Sequence, residues 1–507
     1  MNFRRLIKAE SYTRGMALSV LFNIISKGIL FLLTIVIARY FGSDIKTDIY
    51  FFVFSTMVLF SGFINNIDTA VLIPESMRLR EKEGDDKAAA FLNYFLLIYF
   101  MIGIAFTLAM YFFGTTVFGL ISRFPEPDII TYRNYFWLGS FFFIFHVITN
   151  YLNNILTSLK YFSVPLVISG VKSCVVIVCI FLLKAEYDVL SVILGGLISY
   201  AVNLLIQVYI LYTIPGWKFI FKKPVISRSI WGNVFYSELG QITTVAGSMF
   251  PLYLLSGFGS GIISAMNYGK NIADIPNTLV TSQFTNVVGV QLNEQAAQRN
   301  YSGMNDTFLG ISRLMVFILV PMGCFMFVFA EQIVELFYLR GSFTREAVVE
   351  SARFMQLLSV TVFSIGINAV VTRIFIAMQA IKQAFYYQVI VNVILIAAIW
   401  FFTKKYSEYG YPFGVILVNC INFIGMYFIC KKYFRWIEYG RLLQYAAKVI
   451  AVNLVLAALL YYAVFSVPVD NLYKLLAGSA IYSALFILMK NIKGFDIHES
   501  NNKNEKA

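Results

Sequence analysis

The sequence predicts an all-α polytopic membrane protein of about fourteen transmembrane helices: two pseudo-symmetric six-helix lobes and a C-terminal helix pair. Three observations carry this. Of 507 residues, 59% are hydrophobic and only 13% are charged, about half the roughly 25% charged residues of an ordinary globular domain. The apolar residues collect in runs of spanning length, about 20 residues each. Two parts of the chain also repeat one another at a fixed offset. Such a composition excludes a soluble enzyme, and the short loops leave no room for a large extramembrane domain.

The first span is 16–41. Basic residues Arg4, Arg5, Lys8 and Arg14 precede it, but it exceeds the roughly 7–15 residue core of a signal peptide and is therefore retained as a membrane helix. After the turn ARYFGSDIKTD, further apolar runs follow at 49–73, 90–113, 132–158, 161–183 and 189–213. A second set lies at 229–256, 261–290, 308–330, 347–377, 381–402 and 410–430, and an appended pair at 442–466 and 471–489. The domains expected are an N-lobe over 1–215, a basic linker over 216–228, a C-lobe over 229–432, the helix pair over 433–490 and a polar tail over 491–507.

Orientation follows from the basic residues, because cytoplasmic loops carry the excess of Lys and Arg. Clusters such as Arg78, Arg80, Lys82 and Lys87, and Lys431, Lys432, Arg435 and Arg441, fall on the N-terminal side, and the opposite loops hold few. Both termini are thus expected in the cytoplasm. The formal net charge of +13 is loop charge of this kind, not a nucleic-acid stripe. In the linker, Lys218, Lys222, Lys223 and Arg228 read chiefly as such a loop, a reading that overlaps with contact to anionic headgroups.

The repeat has an offset of 217. Phe91-Leu92 matches Phe308-Leu309, Arg123 matches Arg340, and the polar segments PESMRLREKEGDDKAAA and QLNEQAAQRNYSGMNDT coincide in the same register. Transporters are often built from repeated halves.

Function is sought among charges inside spans, which cost about 2.5–3.5 kcal/mol each at mid-membrane on insertion scales. Lys27, Lys172 and Glu238 lie within spans, and Lys270 and Asp274 are spaced i,i+4 on one helix face. Lys27 reads as a cavity cation for an anionic substrate, with an ion pair to Glu238 as the structural alternative. Lys172 is evenly balanced, and Lys270 with Asp274 reads at least equally as an internal salt bridge. Arg39 and Asp48 flank the first outer turn and are expected to fix it. Asp68, Arg313, Arg353 and Arg373 sit nearer span ends, where long side chains can snorkel. Gly28, Pro251, Pro276 and Pro321 mark kinks or hinges. The five cysteines lie in apolar runs without zinc-ligand spacing, and His146 and His498 are far apart. No metal site, disulfide framework, cofactor or catalytic centre is expected, so the chain reads as a transporter driven by membrane potential or a proton or sodium gradient.

The passage SKGILFLLTIVIARYFGSDIKTDIYFFVF, the stretch NYGKNIADIPNTLV and the segment ELFYLRGSFT resemble the MurJ/MviN lipid II flippases of the multidrug/oligosaccharidyl-lipid/polysaccharide exporter superfamily, over about 15–440. The resemblance implies two lobes around a central cavity that moves an undecaprenyl-diphosphate-linked saccharide by alternating access, with cavity arginines for the diphosphate. Aligned through ARYFG, Lys27 takes the place of the first such arginine, Leu33 of a second and Ser61 of one on the second helix. Asn271, beside Lys270, takes that of one on the eighth helix. Asp48 matches a family aspartate and Asp274 a family glutamate.

The expected function is therefore a flippase of the bacterial inner membrane for lipid II or a related exopolysaccharide or O-antigen unit. Its headgroup would be held near Lys27, Lys270, Asn271, Ser61, Glu238 and Lys172. Its partners would be the lipid-linked saccharide, membrane lipids and envelope-synthesis enzymes, and not nucleic acid. A cation-coupled drug exporter of the same superfamily and a non-transporting envelope scaffold are the alternatives.

Overall fold

The computed structural model describes residues 12–222, 224, 228–466 and 470–490. The expected tail 491–507 and the leading Arg4, Arg5 and Lys8 lie outside the described residues. Within them every regular element is helical. Nine stretches are long and apolar enough to cross a membrane, ten if the bent pair 345–377 is one span. The chain is thus a multi-pass, all-α membrane protein. It divides into two compact units, Met1–Ser264 with Arg340–Phe343, and Ala265–Leu339 with Thr344–Ala507.

Along the first unit run α1 (Tyr12–Phe41), α2 (Ile45–Ile67), α3 (Ile73–Glu83), α4 (Asp85–Ile121), α5 (Glu126–Thr131), α6 (Arg133–Ser158), α7 (Val164–Tyr187), α8 (Leu190–Thr213) and α9 (Arg228–Leu255). Small residues let these helices touch, the usual device where lipid removes the hydrophobic drive to associate. A Cβ on Gly103 would strike Ile144, one on Gly195 would strike Cys179, and one on Gly196 would strike Phe142. The polar segment around residue 80, read from sequence as a loop, is helical in α3. Pro74 starts that helix, Arg78 pairs with Glu75 one turn away, and Gly84 ends it at φ 92°. The linker folds back on α4: Trp217 is buried with its indole N–H donating to Asn93 at 3.0 Å, and Lys218 pairs with Asp86 at 2.8 Å.

From α10 (Ile262–Ala273) the chain continues through α11 (Ser282–Ala297), α12 (Tyr301–Val328), α13 (Ala330–Tyr338), α14 (Arg345–Ser359), α15 (Val362–Ala377), α16 (Ile381–Tyr406), α17 (Gly410–Tyr433), α18 (Tyr439–Phe465) and α19 (Asn471–Lys490). One of the nine apolar stretches, 382–433, is folded back on itself as α16 and α17. Gly410 abuts Thr403 and Gly414 abuts Ile399, the contacts of an antiparallel hairpin. The core of this unit is an apolar cluster that includes Leu292, Phe308, Met315, Leu319, Ile374 and Tyr439.

The backbone repeats as well, in a register two residues from that of the sequence landmarks. Positive-φ residues pair at Gly42 and Gly261, Lys160 and Gln379, and Asp188 and Ser407, each pair 219 positions apart; all but Gly261, which directly precedes α10, follow a helix end. Phe91 and Phe308 are both fully buried. The second helix of each half also carries a π-turn, Asp68–Leu72 and Asn277–Thr281. A proline lies against each, Pro74 and Pro276. In each the ladder shifts to an i→i−5 bond, from Ile73 to Asp68 and from Ser282 to Asn277, and the adjacent proline withholds one N–H from it. By contrast α9 and α12 run on through Pro251 and Pro321.

Candidate functional site

In the first unit, Ser26 and Ile29 of α1 pack against Gly170 of α7. Lys27, next round the helix, is exposed and makes no ion pair or hydrogen bond among the described residues. Glu238 does not pair with it: Asn66 donates to the Glu238 carboxylate at 3.1 Å. Ser61 is buried, and its hydroxyl donates back to the Val58 carbonyl at 2.7 Å, which leaves it turned into its own helix. Lys172 donates to the Tyr200 hydroxyl at 3.2 Å and lies 4.3 Å from the centre of that ring. Tyr200 in turn meets His146 Nδ1 at 2.8 Å. The Tyr200 hydroxyl thus links Lys172 on one side with His146 on the other.

Arg39 and Asp48 have different tasks. The Arg39 guanidinium is exposed, 5.6 Å from the Tyr40 ring, whereas its carbonyl accepts from Ser342 N at 2.8 Å. Asp48, 2% exposed, accepts from Gly261 N, Ser264 N and Ser264 Oγ, each at 2.7 Å. It thereby supplies the acceptors that the first turn of α10 lacks. These contacts account for two of the sequence motifs. In ARYFG and LRGSFT, Gly42 and Gly341 both have positive φ and approach the partner loop's backbone, Gly42 at Ser342 and Gly341 at Arg39.

In the second unit, NYGKNIADIP separates by helix face. Tyr268 is fully buried with its ring 5.1 Å from that of Tyr338, and Gly269 lies against Ser351 and Met355 of α14. Lys270 and Asp274 form an ion pair with side chains 43% and 44% exposed, and Asn271 beside them is half-buried.

Sequence reasoning missed three features. Asp68 is fully buried in the π-turn, accepting from Tyr99 at 2.7 Å. Its polar register with Tyr99 is set by tertiary packing, which leaves no sequence signal. The Tyr200 and His146 partners of Lys172 come from two other helices. Arg313, expected to snorkel, is only 9% exposed.

A sequence profile of the lipid II flippase MurJ family matches residues 37–476. A probable lipid II flippase MurJ of Borreliella burgdorferi is 20% identical over 407 residues, covering 78% of this chain and 79% of its own. One of Buchnera aphidicola is 22% identical, covering 87% and 88%. Among solved structures, the inward closed conformation of lipid II flippase MurJ superposes with a TM-score of 0.78 at 18% identity, covering 93% of this chain and 99% of that one. An inward-facing multidrug resistance MATE transporter of the MOP superfamily superposes with a TM-score of 0.62 at 16% identity, covering 80% and 93%. The profile match over most of the chain places this protein in the lipid II flippase MurJ family.

Proposed function

We propose that this protein flips a polyprenyl-diphosphate-linked cell-envelope saccharide, lipid II or a related repeat unit, across the bacterial inner membrane by alternating access. The observation that carries the reading is family membership over residues 37–476. An exposed mid-span lysine without a partner, Lys27, supports it, because such a charge is stabilised by an anion that arrives from outside the fold. Lys172 adds a cation on α7 of the same unit, and in the second unit α10 carries the donors Lys270 and Asn271. No covalent chemistry is involved: the chain works as a carrier, energised by membrane potential or a proton or sodium gradient, with both termini inside. Envelope-synthesis enzymes would deliver and consume its substrate. A lysine ammonium contacts a diphosphate as a point charge, where arginine would grip it bidentately, so this site selects its cargo with less help from the diphosphate than an arginine-lined one.

The test uses purified protein in liposomes with a labelled polyprenyl-diphosphate saccharide and an impermeant probe. Protein-dependent exposure of the lipid on the far leaflet is expected, falling at least tenfold in the double variant Lys27→Ala, Lys270→Ala. No exposure of lipid II or of any other lipid-linked saccharide overturns the proposal, and export of cationic drugs instead would assign the MATE-like role.

A further inference from the structure

Arg313 lies on α12, twelve residues from the helix start at Tyr301, or about 18 Å along the axis. It is 9% exposed. Its Nε is buried without an acceptor, and among the described residues the guanidinium forms no ion pair or hydrogen bond. Its guanidinium carbon lies 5.7 Å from the centre of the Tyr445 ring on α18. The Tyr445 hydroxyl is itself buried and without a partner. The acid on this seam, Glu438, is occupied: it pairs with Arg441 at 2.8 Å and binds Asn305 through both its backbone N–H and its carboxylate. The seam between the two is otherwise closed by Phe308 stacked on Tyr439, with ring centres 5.9 Å apart.

A guanidinium inside a membrane span needs an acceptor, and the fold supplies only a ring face. A ring face offsets only part of what removing an ion from water costs. We infer that Arg313 and Tyr445 form a binding site for a lipid phosphate at the α12–α18 seam, in the leaflet on the Tyr301 side. A phosphate oxygen would accept from the guanidinium, and the Tyr445 hydroxyl would donate a second bond. The acyl or prenyl chains would stay in the bilayer against the outer face of α18, where Leu454, Val455 and Leu459 are exposed. The inference does not depend on the transport reading, since bulk anionic phospholipid and a polyprenyl diphosphate carry the same recognised group.

Native mass spectrometry of the full-length protein, released from micelles doped with phosphatidylglycerol, phosphatidylcholine or undecaprenyl diphosphate, tests it. The wild type should retain phosphatidylglycerol or undecaprenyl diphosphate, and Arg313→Gln should retain about tenfold less or lower still, as loss of a charge-assisted hydrogen bond implies. Arg313→Lys should keep part of the binding, and Tyr445→Phe, which preserves the ring, should weaken it by a few fold. Loss of phosphatidylglycerol identifies bulk lipid as the source, and loss of undecaprenyl diphosphate alone identifies the substrate; either supports the site. Equal retention of both lipids by wild type, Arg313→Gln and Arg313→Lys, with unchanged melting, overturns it. If Arg313→Gln does not fold, Arg313→Lys with Tyr445→Phe decides: retention at the wild-type level overturns the site equally.

Discussion

Asp48→Ala is the substitution whose consequence follows most directly from geometry. The carboxylate accepts three hydrogen bonds of 2.7 Å in a 2% exposed setting. Hydrogen bonds to a charged group contribute about 1.5–3 kcal/mol each, but two of these three fall on Oδ1 from one residue, Ser264, so they do not add in full. Truncation leaves two N–H groups at the start of α10 without acceptors, and a loss of about 3–5 kcal/mol is expected. Asp48→Asn keeps the shape and one oxygen, yet turns an NH2 toward a donor, and should lose about 1–3 kcal/mol. Thermal unfolding of the purified chain in detergent should rank wild type above Asn above Ala. The removal of Ser264 Oγ by Ser264→Ala should cost much less in the Asp48→Ala background than in the wild type. An Ala variant that melts with the wild type, or costs that simply add in the double variant, would refute the capping role.

Gly341→Ala and Gly42→Ala should each destabilise by about 1–2 kcal/mol or more, since a Cβ at positive φ is strained and here also meets the partner loop's backbone; melting, with faster proteolysis near residue 340, would show it. Tyr99→Phe should cost about 1–3 kcal/mol, the price of leaving the Asp68 carboxyl without its donor, whereas Tyr94→Phe as a control should be near neutral in the same melt. Lys27→Gln should leave melting unchanged and cut flipping, with Lys27→Arg active, because the side chain supports no structure in the fold; equal flipping by Gln and wild type would remove Lys27 from the site. Lys270→Met should shift stability by no more than about 1 kcal/mol, the scale of a solvent-accessible pair, so any larger loss of flipping reports on substrate.

Much of this architecture is legible in sequence because it rests on local chemistry. Apolar runs give spans, and the glycines of ARYFG and LRGSFT sit where the backbones of two turns approach closely. The repeat was visible from Phe91 and Phe308, whose burial is a matter of periodicity. What sequence does not carry is the partner of a buried charge. Nothing near Lys172 in the chain names Tyr200 or His146, and nothing near Asp48 distinguishes an ion pair with Arg39 from amides at 261 and 264. The Arg313 position was misjudged for the same reason: depth along a helix is readable, but whether a neighbouring helix covers the side chain is not.

That distinction reorders the candidate cations. A charge that finds its partner within the fold has its desolvation offset there, and Lys172 through Tyr200, and Lys270 through Asp274, are of this kind. A ligand at either must displace or share an existing bond, and gains correspondingly less. Lys27 and Arg313 have no such bond to surrender, so an arriving phosphate gains the whole interaction at each. Lys27 is exposed and Arg313 buried, which suits the first to a headgroup that must leave again and the second to a lipid that stays. Turnover favours contacts that are made and broken at little net gain, and a single point-charge lysine meets that condition better than a fork of arginines would.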